Sequence, residues 1–183
     1  MDNQQETAKE VSKPMEEKYL KSYLLGFTDA EGCFSISLKK EDTARFGWAL
    51  DPLFQITQHK NNRAVLELFQ AQLKCGRIIE KSGQPDLMVY LVDNRRQLVE
   101  KIIPFFQQNK LLGKNEDFLK FKKIIEGMES KMHHEKESFI ELIKKCYEMN
   151  LGGKQRRYKL REVLEDLKMR DPQRLYAKHE AER

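Results

Sequence analysis

Cysteine is scarce in this chain: Cys33, Cys75 and Cys146 are the only three, widely spaced and without a CxxC pair. An odd, scattered set of thiols predicts reduced cysteines in a reducing compartment. No apolar run reaches membrane-spanning length, which excludes a transmembrane helix. The opening stretch MDNQQETAKEVSKPMEEKYL is polar and acidic, unlike a secretory signal. There is no internal repeat and no low-complexity tract. The expected location is the cytoplasm of a bacterium or archaeon, or an organelle if the gene lies in one.

What is present is enough for a core. Ten Phe, six Tyr and many Leu and Ile sit in 183 residues, room for one domain or a core with helical tails. The formal charge is +5, but it is unevenly divided. Residues 1–31 hold four basic and seven acidic side chains, a net −3. Residues 32–125 carry a net +6 and residues 126–183 a net +2. The positive excess in the middle of the chain suits an anionic partner such as nucleic acid.

Periodicity predicts an α+β chain. Residues 1–17 read as a flexible lead, 18–128 as the core and 129–183 as a C-terminal helical extension. Tyr19–Ala30 has helical spacing and stops at Gly32. CFSISLKK alternates as a half-buried strand, with Phe34, Ile36 and Leu38 inward. FGWALDPLFQITQ follows as a second strand, with Pro52 marking an edge or bulge. Asn61–Leu73 is an amphipathic helix. Arg77–Lys81 turns through Ser82-Gly83-Gln84-Pro85-Asp86 into Leu87–Val92. Arg95–Phe106 is helical, interrupted or ended near Pro104, and Asn115–Met128 is a further amphipathic helix. Breaks are expected at Leu151-Gly152-Gly153 and at Asp171-Pro172. The order is helix, two strands, helix, two strands, then helices, which implies an antiparallel sheet.

The first helix ends in Asp29 and Glu31, although a helix C-terminus favours cations. Two acids there suit a hard divalent cation with oxygen ligands. Gly26 and Ala30 share a face at i, i+4 spacing, so a second helix could approach closely.

The segment Leu24-Leu25-Gly26-Phe27-Thr28-Asp29-Ala30-Glu31-Gly32 resembles the motif of LAGLIDADG homing endonucleases. Phe54-Gln55-Ile56-Thr57-Gln58-His59 is similar to that family's second-strand segment. Lys114, before a helix containing Phe118–Ile125, is similar to its catalytic lysine. The resemblance runs over residues 19–128, and the αββαββα order agrees with it. Arg45-Phe46-Gly47, Gly76-Arg77-Ile78 and Asp93-Asn94-Arg95 look closest to endonucleases encoded in group I introns of large-subunit rRNA genes.

The resemblance implies a homodimer, because there is one motif copy. Leu24, Gly26, Phe27 and Ala30 would form the dimer interface. It also implies Mg²⁺-dependent cleavage of both strands of a long pseudo-palindromic DNA site, with Mn²⁺ able to substitute. Glu31, where many members carry Asp, and the Ala30 carbonyl would bind the metal. Gln58 would position water and Lys114 would place positive charge beside the phosphate. Arg63 is a weaker basic candidate. The alternative is a non-cleaving binder on the same fold, an RNA maturase or a DNA-binding regulator.

The four strands would form a saddle in the DNA major groove. Period-2 reading puts Ser35, Ser37, Lys39, Gln55, Thr57, Arg77, Ile79, Lys81, Met88 and Tyr90 on the DNA face. The basic segment Lys154–Lys159 is a further phosphate-contact candidate. His133-His134 reads as a solvated turn, and Cys33, Cys75 and Trp48 as packing residues.

Overall fold

The computed structural model describes residues 16–150 and 156–170. The expected breaks at 151–153 and 171–172 and most of the lead lie outside them.

Helix α1 (Glu17–Glu31) runs directly into β1 (Gly32–Lys40). The hairpin partner β2 spans Trp48–His59, and a 3₁₀ turn at Lys60–Asn62 leads into α2 (Arg63–Leu73). The hairpin β3 (Arg77–Lys81) and β4 (Gln84–Val92) follows. Next come α3 (Arg95–Gln97), a π-helical turn (Leu98–Ile102), α4 (Ile103–Gln108) and α5 (Asn115–Glu129). A second 3₁₀ turn (Met132–His134), α6 (Lys136–Tyr147) and α7 (Leu160–Met169) complete the described chain. The four strands form one antiparallel sheet in the order β1-β2-β4-β3.

One face of the sheet is covered and the other is open. Phe34, Ile36, Leu38, Trp48, Leu50, Phe54, Ile56, Tyr90 and Val92 join the core with Leu66, Phe69, Phe106, Phe118 and Phe121 of the helices. Phe34 is the hub: its ring lies 4.9 to 5.4 Å from those of Phe54, Phe106, Phe118 and Phe121. Phe139, Leu142, Ile143, Val163 and Leu167 of α6 and α7 belong to the same cluster. The indole of Trp48 donates to Asp166 at 2.6 Å, tying α7 to the β1–β2 hairpin.

Three local features sharpen the sequence reading. Gly32 ends α1 in an extended conformation rather than a left-handed one (φ −71°, ψ 152°). Glycine is needed because a Cβ would meet Thr28 Cγ2 and its carbonyl oxygen, each at 2.7 Å. Pro52 sits where β2 pairs with β1 alone, so its missing N–H breaks no rung to β4. The helical run from Arg95 is interrupted rather than ended near Pro104: it passes through a π turn and continues to Gln108. The π turn just before the proline widens the helix where the ring cannot donate and crowds the preceding turn.

The β3–β4 turn is tighter than the sequence suggests. It is confined to Ser82-Gly83, Gln84–Asp86 already belong to β4, and the register shifts between Glu80 and Lys81. That bulge sets the phase of β4, which alternation in the apolar run Leu87–Val92 could not reveal.

Candidate active site and nucleic-acid interface

The two acids that end α1 have different roles. Asp29 accepts from the backbone N–H groups of Leu112 (2.8 Å), Gly113 (3.1 Å) and Lys114 (2.9 Å). Lys114 is the N-cap of α5, so the carboxylate neutralises the amides of the turn entering that helix. Burial raises the Asp29 pKa, but those three amides and the Lys114 charge outweigh it and leave the group below its ordinary value. Glu31, by contrast, is exposed. It takes part in none of the ion pairs among the described residues.

The cation missing from the end of α1 arrives from a distant segment. Lys114 Nζ donates to the carbonyls of Thr28 (3.2 Å) and Ala30 (2.9 Å). An ammonium on the last carbonyls of a helix is the favourable polarity. The Ala30 carbonyl therefore already accepts one hydrogen bond and keeps one lone pair.

Gln58 enters from β2. Ile56 pairs with Gly32, the residue after Glu31, and Gln58 lies two residues further along β2 on the same face. It is half-buried, and its Oε1 accepts from Asn62 Nδ2 at 3.2 Å. Lys114 thus meets the C-terminal end of α1 that carries Glu31, and Gln58 lies on the strand that pairs with the residue after it. Arg63 stands next to Asn62, with its guanidinium held by Glu67 at 2.7 Å and Nη1 3.6 Å from Met88 Sδ.

Among the described residues no group of three or more His, Cys, Asp or Glu could hold a metal ion. What one chain offers here is a hard-oxygen donor set, the Glu31 carboxylate and the Ala30 carbonyl. That chemistry suits Mg²⁺ or Mn²⁺, but the set is too small for a complete cage without donors from outside the chain.

The exposed face of α1 is a stripe of Tyr19 (62% exposed), Tyr23 (38%), Gly26 and Ala30. A Cβ on Gly26 would meet nothing within 4 Å. Phe27 is half-buried, with its ring 5.7 Å from Tyr23 and 5.9 Å from Phe69. Leu24, expected at the dimer interface, is fully buried in the chain's own core. The helix turns Leu24 and Thr28 inward together, and Tyr19 and Tyr23 take the outer positions that sequence reasoning did not assign.

The open face of the sheet follows from the registers. Ser35 faces Leu53, Ser37 faces Asp51 and Lys39 faces Ala49. One row runs Cys33, Gln55, Leu91, Arg77, and the next runs Thr57, Val89, Ile79. Lys81 alternates with Glu80 at the end of β3. Ser35, Ser37, Lys39, Gln55, Thr57, Arg77 and Ile79 therefore share the open face as expected.

Tyr90 and Met88 do not. Tyr90 is fully buried in the core, its hydroxyl donating to the Cys75 carbonyl at 3.1 Å, and burial drives its pKa upward. Met88 packs on the core side as well. The β4 bulge reverses their phase, and Leu87, Val89 and Leu91 occupy the open face instead. Two basic side chains of this face are already paired, Arg77 with Asp93 at 2.6 Å through both nitrogens and Lys39 with Asp51. In the tail candidate 154–159, Arg156 is turned inward, donating to the Ile36 carbonyl at 2.7 Å and to the Cys146 carbonyl. Lys154 and Gln155 lie outside the described residues.

The family model described as LAGLIDADG endonuclease matches residues 24–125. The chain belongs to the LAGLIDADG endonuclease family. Homing endonuclease I-ApeII of Aeropyrum pernix is 30% identical over 154 residues, 82% of this chain and 91% of the relative. DNA endonuclease I-CeuI of Chlamydomonas moewusii is 37% identical over 127 residues, 67% of this chain but 58% of that relative. Among solved structures, the archaeal intron-encoded homing endonuclease I-Vdi141I complexed with DNA superposes with a TM-score of 0.78 at 39% identity. That match covers 84% of this chain and 97% of the other. The group I intron-encoded homing endonuclease I-CeuI complexed with DNA gives 0.76 at 29% identity, over 85% of this chain and 79% of the other. In LAGLIDADG terms, the matched segment contains the acid end of α1, the whole sheet and Lys114. Among the described residues no helix is long and apolar enough to cross a membrane.

Proposed function

We propose that this LAGLIDADG protein is a site-specific double-strand DNA endonuclease that acts as a homodimer, at an intron-insertion site in an rRNA gene. The observation that carries the reading is the division of labour at the end of α1. Asp29 is consumed by three amides, while Glu31 stands exposed at a helix end whose Thr28 and Ala30 carbonyls hold the Lys114 ammonium.

The Tyr19, Tyr23, Gly26 and Ala30 stripe supports a dyad at which two α1 helices meet. Gly26 and Ala30 lack bulk there, so the backbones can come close. Two Glu31 carboxylates and two Ala30 carbonyls then gather at the centre of the target. When held by these oxygens, Mg²⁺ or Mn²⁺ supplies Lewis-acid charge stabilisation at the phosphate and lowers the pKa of bound water.

This chain's own residues do the rest. Lys114 brings a fixed positive charge to the edge of the scissile phosphate and steadies its developing negative charge. Gln58, whose amide both donates and accepts, orders water on the nucleophile side. The open sheet lies in the major groove, with Ser35, Ser37, Gln55 and Thr57 toward base edges and Lys39, Arg77 and Lys81 toward phosphates or guanines. Residues 18–128 carry the cutting machinery in this reading.

Incubation with Mg²⁺ and a duplex spanning the host's uninterrupted large-subunit rRNA gene tests the proposal. Wild type is expected to give discrete double-strand cuts, and Glu31→Gln to bind without cutting. Tight binding by a wild type that does not cut would instead identify a non-cleaving binder.

A further inference from the structure

The open face of the sheet is not uniformly polar. Beside the α1 end it carries Leu87, Val89 and Leu91 of β4 and Ile79 of β3, around Thr57 and Gln55. Ile79 is 39% exposed, and Leu87 and Leu91 are half-buried. Val89 is 5% exposed, yet it stands apart from the main core cluster, shielded by its neighbours on this outer side. Further from α1 the face is more polar, with Ser35, Ser37, Lys39 and Asp51 beside Leu53 and Ala49.

The registers fix which end is which. Gly32 follows the last residue of α1 and pairs with Ile56. The Cys33, Gln55, Leu91, Arg77 row is the next rung on the open face. The Thr57, Val89, Ile79 row lies beyond it, on the side away from the β1–β2 hairpin loop. The most aliphatic rows are therefore level with the acid end of α1, and the rows that carry Ser35, Ser37 and Lys39 lead away from it.

We infer that this patch reads thymine methyl groups in the part of each half-site next to the cut. The inference rests on the nuclease reading above and adds the base identity to it. Lys81 and Arg77, the latter paired with Asp93, border the patch, and it is continuous with the open face, so an occupant with phosphates at its edges and an apolar group at its centre fits it. Duplex DNA meets that description only at particular base pairs. Of the groups exposed in the major groove, the C5 methyl of thymine alone is apolar; the others are hydrogen-bond donors and acceptors. Pressing Ile79 and Leu91 against G·C edges would desolvate polar atoms without replacing their partners. Against thymine the same contact removes two apolar surfaces from water.

The test has two stages. Duplexes retained by the protein from a library randomised across one half-site, in Ca²⁺ to hold off cleavage, are sequenced. The best is then resynthesised with deoxyuridine for thymine, which deletes only the methyls. We expect T·A or A·T pairs to be enriched nearest the cut. Each methyl removed there should weaken wild-type binding about fourfold, the value of one buried carbon group. The Ile79→Ser variant should lose that methyl sensitivity at one or more of these positions. Enrichment of G·C pairs there, or equal affinity for the deoxyuridine duplex, would overturn the inference and leave the nuclease reading standing. Retention of no duplex at all would overturn both. The wild-type arm requires no variant to fold.

Discussion

Lys114 Nζ reaches the Ala30 carbonyl oxygen at 2.9 Å across a sequence separation of 84 residues. This contact joins the entry of α5 to the exit of α1, and Asp29 fastens the same junction from the other side through three backbone amides.

Replacing Lys114 by Met should therefore leave DNA affinity close to wild type and lower the cleavage rate about 10²- to 10³-fold, the cost of one preorganised charge at a reacting centre. Single-turnover cleavage at saturating protein measures this. An unchanged rate would remove Lys114 from the chemistry.

Asp29→Ala should cost about 1–2 kcal/mol at neutral pH, as for loss of a helix-capping carboxylate. The folded-state pKa of Asp29 is lowered, so its contribution is complete above the unfolded value of 3.8 and fades as pH falls through the folded one. Urea denaturation of the two proteins should show a gap at pH 7 that narrows below about pH 3.8. A gap that widened in acid would contradict the assignment.

Gly26 and Gly32 should respond in opposite ways. Gly32→Ala places a methyl 2.7 Å from Thr28 atoms and should destabilise the chain by about 1–3 kcal/mol in thermal melts. At Gly26 an added Cβ meets nothing within 4 Å in the chain itself, so Gly26→Leu should keep its helicity by circular dichroism. The mass in sedimentation should fall from two chains toward one. A variant at Gly26 that stayed fully dimeric would move the interface elsewhere.

Tyr90→Phe removes a hydroxyl that donates to the Cys75 carbonyl in the core. The expected result is a loss of about 1 kcal/mol in stability, with DNA affinity per folded molecule unchanged. A weakened complex at equal folded fraction would return Tyr90 to the interface.

Much of the fold was legible because its alternation is strict. β1 shows it plainly: Phe34, Ile36 and Leu38 against Ser35, Ser37 and Lys39. The acid end of α1 was legible as an oddity of charge, but the split between Asp29 and Glu31 was not. It depends on a turn more than 80 residues away, and no local pattern encodes that approach. β4 was misread because Leu87–Val92 is apolar at every position, so only the bulge opposite Glu80 and Lys81 decides which residues face outward. Leu24 was assigned outward because an amphipathic helix with two apolar faces does not say which belongs to its own core.

The junction of Asp29, Ala30 and Lys114 also bears on how the protein is made. A ribosome delivers Glu31 long before Lys114, and closing a loop of more than 80 residues is among the later events of folding. On the proposed chemistry, a nascent or half-folded chain carries the acid without its cation. In such a chain the cutting site is incomplete until this long-range junction has closed.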